Sequence, residues 1–361
     1  MKTSAVVFAY HNIGVTGIEC LLQAGVEIKL VVTHQDDPEE NIWFGSVAEL
    51  AGRHRIPVIT PENPNRAEVI KQIADLNPQW LFSFYYRHML STDLLAIPPR
   101  GAYNLHGSLL PKYRGRAPVN WAVLHGESTT GVSLHQMVEK PDAGSLIDQE
   151  AVAILPNDTA HDVFLKLTPA AETLLTRCLP LLLDGKIEAK PLDLAQGSYF
   201  GGRKPEHGRI DWQQSAWAIH NLVRAVAPPY PGAFFDSNGK RFFLFGSHYS
   251  DESAVNSGKV CIYWAAGHFY ADCADNKRFR IEQLSCDGIS LDQAAFKALT
   301  GDEQLFPTAR DGGRDCSRQS SALPPSMEVG SVASGTTARD AGGRATQEQL
   351  PREPMRPALN D

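Results

Sequence analysis

In the stretch Asn104-Leu105-His106-Gly107-Ser108-Leu109-Leu110-Pro111-Lys112-Tyr113-Arg114-Gly115-Arg116, a carboxamide and an imidazole stand two residues apart. If residues 101–106 form a strand, its period of two puts Asn104 and His106 on one face near the carboxyl end. That end is where open α/β sheets collect ligands. Gly107 and Gly115 permit close approach of backbone, and Pro111 stiffens the exit. Asp142, in Glu139-Lys140-Pro141-Asp142-Ala143-Gly144, follows a second alternating segment at 131–138 and can reach the same edge. An amide, an imidazole and a carboxylate joined in this way suit acyl transfer to an amine without a covalent enzyme intermediate. An aliphatic amine, with a pKa of about 10.4 in lysine, arrives protonated and must shed a proton to attack. His106 is suited to move that proton, and Asn104 to donate an N–H to the oxygen that becomes anionic. Asp142 is suited to orient the imidazole and stabilise its charged form. By spacing alone, an Asn-x-His pair ending a strand is more often a polar turn, and Asp before Ala-Gly is usually a turn or cap residue. The residues by themselves leave an α/β enzyme with its reaction open.

The scaffold that must position them is legible in the apolar pattern. Residues 4–10, 27–33, 57–60 and 79–84 read as buried strands, and 13–24, 44–54 and 67–76 as amphipathic helices between them. Such alternation predicts an open, mostly parallel Rossmann-like sheet with helices on both faces. A long helix is expected over 159–183, starting after the Asn157-Asp158 capping region and kinked or shortened at Pro169 and Pro180. The polar connector Gly201-Gly202-Arg203-Lys204-Pro205-Glu206-His207-Gly208 marks a boundary. Beyond it come a helix at 215–225 and closely spaced strands at 241–245, 258–264, 269–272 and 279–283, which predict a small OB-like β-barrel. The expected organisation is therefore a catalytic domain at 1–200, a barrel domain at 201–306 and a disordered tail at 307–361. That tail lacks Tyr, Trp and Lys, and is dominated by Gly, Ser, Pro, Arg and Ala; it cannot bury enough apolar surface to offset its ordering entropy.

Composition narrows the function. A chain of 361 residues, 43% hydrophobic with net charge −7 and no long basic run, reads as an ordinary soluble globular protein and gives no support to a broad nucleic-acid-binding surface. No signal-peptide core and no membrane-length apolar run occur, and six cysteines are scattered without a Cys-x-x-Cys pair. A cytoplasmic setting with reduced thiols is expected. The Gly14-Val15-Thr16-Gly17 turn, with Asp36 and Asp37 downstream, imitates a dinucleotide site. Asn12 stands where the fingerprint needs its first glycine, so no nicotinamide or flavin is expected. His11, His34 and His135 lack ligand spacing, so no metal is expected.

The Asn-x-His-x-Ser-Leu-Leu-Pro-x-Tyr-Arg-Gly stretch, with the following Asp-Ala-Gly, resembles the 10-formyltetrahydrofolate-dependent formyltransferases over residues 1–305. The resemblance implies that Asn104, His106 and Asp142 are the catalytic trio, with His106 as acid/base. It implies 10-formyltetrahydrofolate as co-substrate, lined by His88, Met89, Leu90, Arg116, Val138, Glu139, Lys140, Pro141 and Asp142. It also places Trp212, the Asn221–Ala225 stretch and Pro231-Gly232-Ala233-Phe234 in the family's small barrel. The segments Phe8-Ala9-Tyr10-His11, Thr33-His34, Phe44-Gly45-Ser46-Val47 and Phe82–His88 resemble the branch that formylates UDP-4-amino-4-deoxy-L-arabinose for lipid A modification and polymyxin resistance. That branch carries a dehydrogenase/decarboxylase half that the tail cannot be, so a stand-alone transferase is expected. Its partners would be a sugar-nucleotide acceptor and the folate donor, with no nucleic acid or membrane. The competing readings are methionyl-tRNA formyltransferase, a non-catalytic folate or sugar-nucleotide binding module, and hydrolysis of the donor. No basic loop suits tRNA. Arg114 and Arg116 either brace the loop or, for Arg116, meet a folate tail or an acceptor phosphate.

Overall fold

The structure is a computed structural model and describes residues 3–36, 42–256, 258–301 and 304–307. Asp37, Cys316 and all but the first residue of the expected disordered tail lie outside the described residues.

The first strand, β1 (Ser4–Ala9), is buried at every position, as its unbroken apolar run requires of a strand covered on both faces. Helix α1 (His11–Gln23) leads to β2 (Glu27–Val32), α2 (Val47–Arg53) to β3 (Val58–Ile59), and α3 (Ala67–Asp75) to β4 (Trp80–Phe84). The single-turn α4 (Thr92–Leu95) then leads to β5 (Ala102–His106). A short β6 (Arg114–Gly115) and α5 (Pro118–Leu124) precede the hairpin of β7 (Thr129–Gln136) and β8 (Leu146–Ala153). The sheet order is β3-β2-β1-β4-β5-β7-β8, parallel from β3 to β5 and antiparallel at β7 and β8. The order reverses beside β1, where β4 returns to its other edge, and such switch points open a crevice at the strands' carboxyl ends. One apolar cluster joins the sheet to α1, α2 and α6 (Ala160–Leu183); a second, on the other face, joins it to α3 and α4. Helix α1 packs so closely that a Cβ on Gly17 would sit 2.3 Å from the Phe84 ring.

Helix α6 runs unbroken through both prolines, contrary to the expected shortening. Pro169 and Pro180 are exposed, and so are Leu165 and Thr176, the residues four positions before them, so water can take the freed carbonyls. Its cap is Thr159, in a capping box with Asp162. Asn157 and Asp158 are engaged elsewhere: Asn157 Oδ1 accepts the Tyr249 N–H at 2.8 Å, and Asp158 binds Lys166 and the Leu155 N–H. Strand β8 escaped the sequence reading because it ends the sheet and carries polar residues on a half-exposed edge.

After β9 (Tyr199–Phe200), which pairs only with β6, helix α7 (Ala216–Ala225) opens a second body with its own core. There β10 (Ala233–Ser237), β11 (Lys240–Ser253), β12 (Cys261–Ala265), β13 (His268–Asp272), β14 (Lys277–Cys286), β15 (Ile289–Ser290), α8 (Gln293–Thr300) and β16 (Gln304–Leu305) form a curled antiparallel half-barrel. The strand expected at 241–245 is only the start of β11. Register shifts around Gly246 and after His248 bend that strand and let it continue to Ser253.

Candidate active site

Alternation along β5 decides what faces the site. Tyr103 and Leu105 enter the larger apolar cluster and Ala102 the smaller one, so Asn104 and His106 share the Ala102 side. Strand β7 runs antiparallel beside β5, and its register sets His135 opposite Asn104 and Ser133 opposite His106.

Asn104 Nδ2 lies 3.1 Å from His135 Nε2, while His135 Nδ1 is 2.9 Å from the Gln136 carbonyl. A carbonyl only accepts, so the His135 proton sits on Nδ1 and Nε2 is left to accept from Asn104. The same logic fixes His106. Its Nε2 donates to the Tyr113 carbonyl at 2.8 Å, which turns Nδ1 toward Asp142 Oδ1 at 3.6 Å. Backbone at Tyr113 thus orients the ring, and Asp142 stands to it as a neighbouring charge beyond hydrogen-bond length.

Asp142 reaches this point on the loop that leaves β7. The neck of the loop is closed by Gln136 N donating to Ser145 O and Met137 N to Ala102 O, both at 2.8 Å. Asp142 itself is left-handed, φ 49°, a conformation uncommon outside glycine that Asp tolerates better than most residues. Gly144 has no substitute, because a Cβ there would lie 1.9 Å from the Gln136 carbonyl oxygen. Asp142 Oδ2 accepts the Gly115 N–H at 2.9 Å. Oδ1 is 3.4 Å from His135 Nε2 and 3.5 Å from Asn104 Nδ2, so one oxygen faces all three side chains. Burial pushes the Asp142 carboxyl up, but the facing His106 and the Gly115 N–H outweigh it. The group is held well below the usual carboxylate range and stays ionised.

The remaining expected contacts divide. His88, Met89 and Leu90 lie on the loop after β4, and Val138, Glu139, Lys140 and Pro141 on the loop after β7. Leu90 and Met137 pack in the same apolar cluster as Ala102, so both loops flank the face that carries Asn104 and His106. Met89 and Val138 are apolar yet 56% and 41% exposed, one on each loop. Arg116 is exposed, its backbone N–H donates to the Phe200 carbonyl at 3.0 Å and its side chain lies near Gly202; among the described residues no side-chain hydrogen bond joins it to Asn104, His106 or Asp142. Arg114 is buried; its backbone N–H donates to the Ser198 carbonyl at 3.0 Å, and its Nε has no acceptor among the described residues.

Three participants were not singled out by sequence reasoning as parts of this site. His135 was weighed only as a metal ligand, although strand alternation at 131–138 was signal enough to place it beside Asn104. The Tyr113 carbonyl and the Gly115 N–H are backbone groups, and residue type carries no trace of them. Among the described residues no cluster of His, Cys, Asp and Glu is placed to hold a metal.

A model of the formyl transferase family matches residues 12–179, and one of the formyl transferase C-terminal domain matches residues 203–296. The chain belongs to the formyl transferase family. Similar folds are seen in the N-formyltransferase of Helicobacter canadensis, solved with folinic acid and dTDP-3-aminofucose: 22% identity, TM-score 0.61, spanning 78% of this chain and 99% of that one. The sugar 3N-formyl transferase WlaRD, solved in the presence of dTDP and 5-N-formyl-THF, is 19% identical with TM-score 0.63, over 78% of this chain and 97% of that one. A 4-N formyltransferase from Francisella tularensis is 18% identical with TM-score 0.56, over 67% and 96%. These likenesses establish the shared fold of this formyltransferase, and its family establishes the class of group it transfers.

Proposed function

We propose that this formyltransferase moves the formyl group of 10-formyltetrahydrofolate onto the amine of a sugar nucleotide, with UDP-4-amino-4-deoxy-L-arabinose as the acceptor, in the cytoplasm and in the service of lipid A modification. The observation that carries the proposal is the convergence of Asn104, His106 and His135 on one Asp142 oxygen, at 3.4 to 3.6 Å, beside the end of β5. Support for the donor comes from Met89 and Val138, exposed apolar side chains on the two loops that flank that face and suited to a flat pterin ring. Support for the acceptor comes from the folate and dTDP-sugar ligands of the similarly folded enzymes.

In this reading the amine nitrogen attacks the formyl carbon, a C–N bond forms to the acceptor, and the bond from that carbon to folate N10 breaks. The proton leaving the amine ends on N10. His106 Nδ1 is the nitrogen that carries it, since Nε2 is held by the Tyr113 carbonyl. Asn104 has one N–H on His135; the other, only loosely held by Asp142 at 3.5 Å, is drawn to the oxygen of the tetrahedral intermediate. Asp142, kept ionised, offsets the positive charge that appears on His106. Residues 1–200 supply this chemistry, and 201–306 complete the acceptor side.

The test is to offer 10-formyltetrahydrofolate with UDP-4-amino-4-deoxy-L-arabinose, a dTDP-amino sugar, initiator methionyl-tRNA or no acceptor, and to follow formylated product by mass spectrometry. Formylation of the tRNA alone, or formate release without transfer, would overturn the proposal. His106→Ala should lower kcat by about 10²–10⁴ while folinic acid still binds, because proton transfer is removed and the donor loops are not.

A further inference from the structure

Tyr85, the first residue after β4, carries a buried hydroxyl that nothing satisfies. Its Oη is enclosed and has no hydrogen-bond partner among the described residues. Its backbone is left-handed, φ 58°, although it is a bulky aromatic residue. Both costs fall beside the catalytic trio. In the β4–β5 register Phe84 faces Leu105, so Tyr85 stands next to the His106 end of β5. The hydroxyl lies where a side chain on residue 107 would begin: a Cβ on Gly107 would be 2.0 Å from Oη. Gly107 is thus the residue that makes room for it.

Neighbouring side chains divide between the two faces. Tyr86 packs with the apolar cluster that holds Leu90 and Met137, the side read as the donor's. Tyr85 packs with the opposite cluster, its ring edge-on to Phe164 at 5.4 Å and 6.4 Å from the His11 ring. The donor therefore approaches His106 from one face, and Tyr85 guards the other. Burial, with a smaller contribution from Tyr230, holds the phenol well above its ordinary range, so it remains a neutral O–H that can donate.

We infer that the Tyr85 hydroxyl, admitted beside β5 by the missing side chain of Gly107, is a specificity-determining contact for the acceptor, hydrogen-bonding a hydroxyl that neighbours the reacting amine on the sugar. The inference deepens the proposed sugar-nucleotide reading and rests on it. An enclosed donor without a partner destabilises the free protein, and a substrate oxygen that meets it recovers that cost only on binding.

The decisive variant is Tyr85→Phe, assayed with UDP-4-amino-4-deoxy-L-arabinose. It should melt at the same temperature as the parent or higher, since an unsatisfied polar atom is removed. Folinic acid affinity should stay within about twofold, while kcat/KM for the acceptor falls about 10- to 100-fold, the effect of leaving a substrate hydrogen bond unmade. An acceptor analogue lacking the neighbouring hydroxyl should be nearly insensitive to the change. Gly107→Ala should impair the parent strongly and less in the Tyr85→Phe background, where the 2.0 Å clash with the hydroxyl is gone and only the 3.0 Å approach to the ring carbon Cζ remains. Acceptor kcat/KM within about twofold of the parent overturns the inference, as does a loss that comes with lower melting temperature and equal loss of folinic acid binding. If the parent itself formylates no amino sugar, the proposed function fails and this inference fails with it; a parent that turns over normally separates the two.

Discussion

In the proposed mechanism Asp142 is the residue on which the chemistry turns, because one of its oxygens faces Asn104, His106 and His135 together. Its carboxyl is depressed by the facing His106 and by the Gly115 N–H, against the opposing effect of burial. A depressed carboxyl contributes stability that is fully present above its unfolded value, about 3.9, and is lost only as pH falls through the folded value. Acid loss of activity at pH 5 to 6 should therefore not be traceable to Asp142. Asp142→Asn keeps the shape and an oxygen for Gly115 but removes the charge that offsets a protonated His106. We expect kcat to fall by about 10²–10⁴ with the melting temperature little changed, a split readable from saturating kinetics beside a thermal melt. An unchanged kcat would show that the charge is idle.

At the scale of elements, the site depends on how β7 and its following loop meet β5. Antiparallel register delivers His135, and the loop doubles back to deliver Asp142. Gly144 is the point at which this return is tightest, with the Gln136 carbonyl where a Cβ would go. Gly144→Ala should cost about 1–3 kcal/mol, the usual range for overpacking, and displace Asp142 from the ring nitrogens. Denaturant melts should show the first effect and transferase assays the second. Retention of full activity in a destabilised protein would mean that the loop has slack the geometry does not show. Much of this level was legible in the chain: β1 to β5 and helices α1 to α3 follow from apolar runs and 3.6-residue spacing. The polar edge strand β8, the continuation of β11 past its bulges and the intact α6 were not. Each depends on what lies across from it: an open edge, a partner strand, or solvent over two exposed prolines.

Among the described residues the two cores are joined in part at α7, whose polar residues reach back to the first body. His220 Nε2 donates to the Pro156 carbonyl at 2.9 Å, and Arg224 to the Asp158 carbonyl at 2.9 Å; Asn120 Nδ2 donates to Ala225 O at 2.8 Å. The Asn221-Leu222-Val223-Arg224-Ala225 stretch is therefore a clasp between the two cores. His220 is fully buried, and burial holds it near 4, well under the ordinary 6.5, with His11 at about 3 for the same first reason. A lowered folded pKa means that the unfolded chain takes up protons which the native protein refuses. Stability is thus intact above about 6.5 and declines as pH falls toward 4. His220→Gln should remove roughly one proton from that linkage, flattening the decline by up to about 1.4 kcal/mol per pH unit, as urea melts at pH 7 and pH 5 can measure. A slope equal to the parent's would place the acid sensitivity elsewhere.

The linear order of residues was enough to settle the fold class, because alternation of buried strands and amphipathic helices depends only on local spacing and on the need to cover both sheet faces. It was enough, too, to bring Asn104 and His106 to one side of a strand, since that follows from a period of two. It could not place Asp142 against them, supply the Tyr113 carbonyl and the Gly115 N–H, or leave the Tyr85 hydroxyl unmatched above Gly107. Those outcomes are set by register between strands and by the path of loops through three dimensions, where backbone atoms carry no residue signature and distances of a few ångströms join segments far apart in the chain.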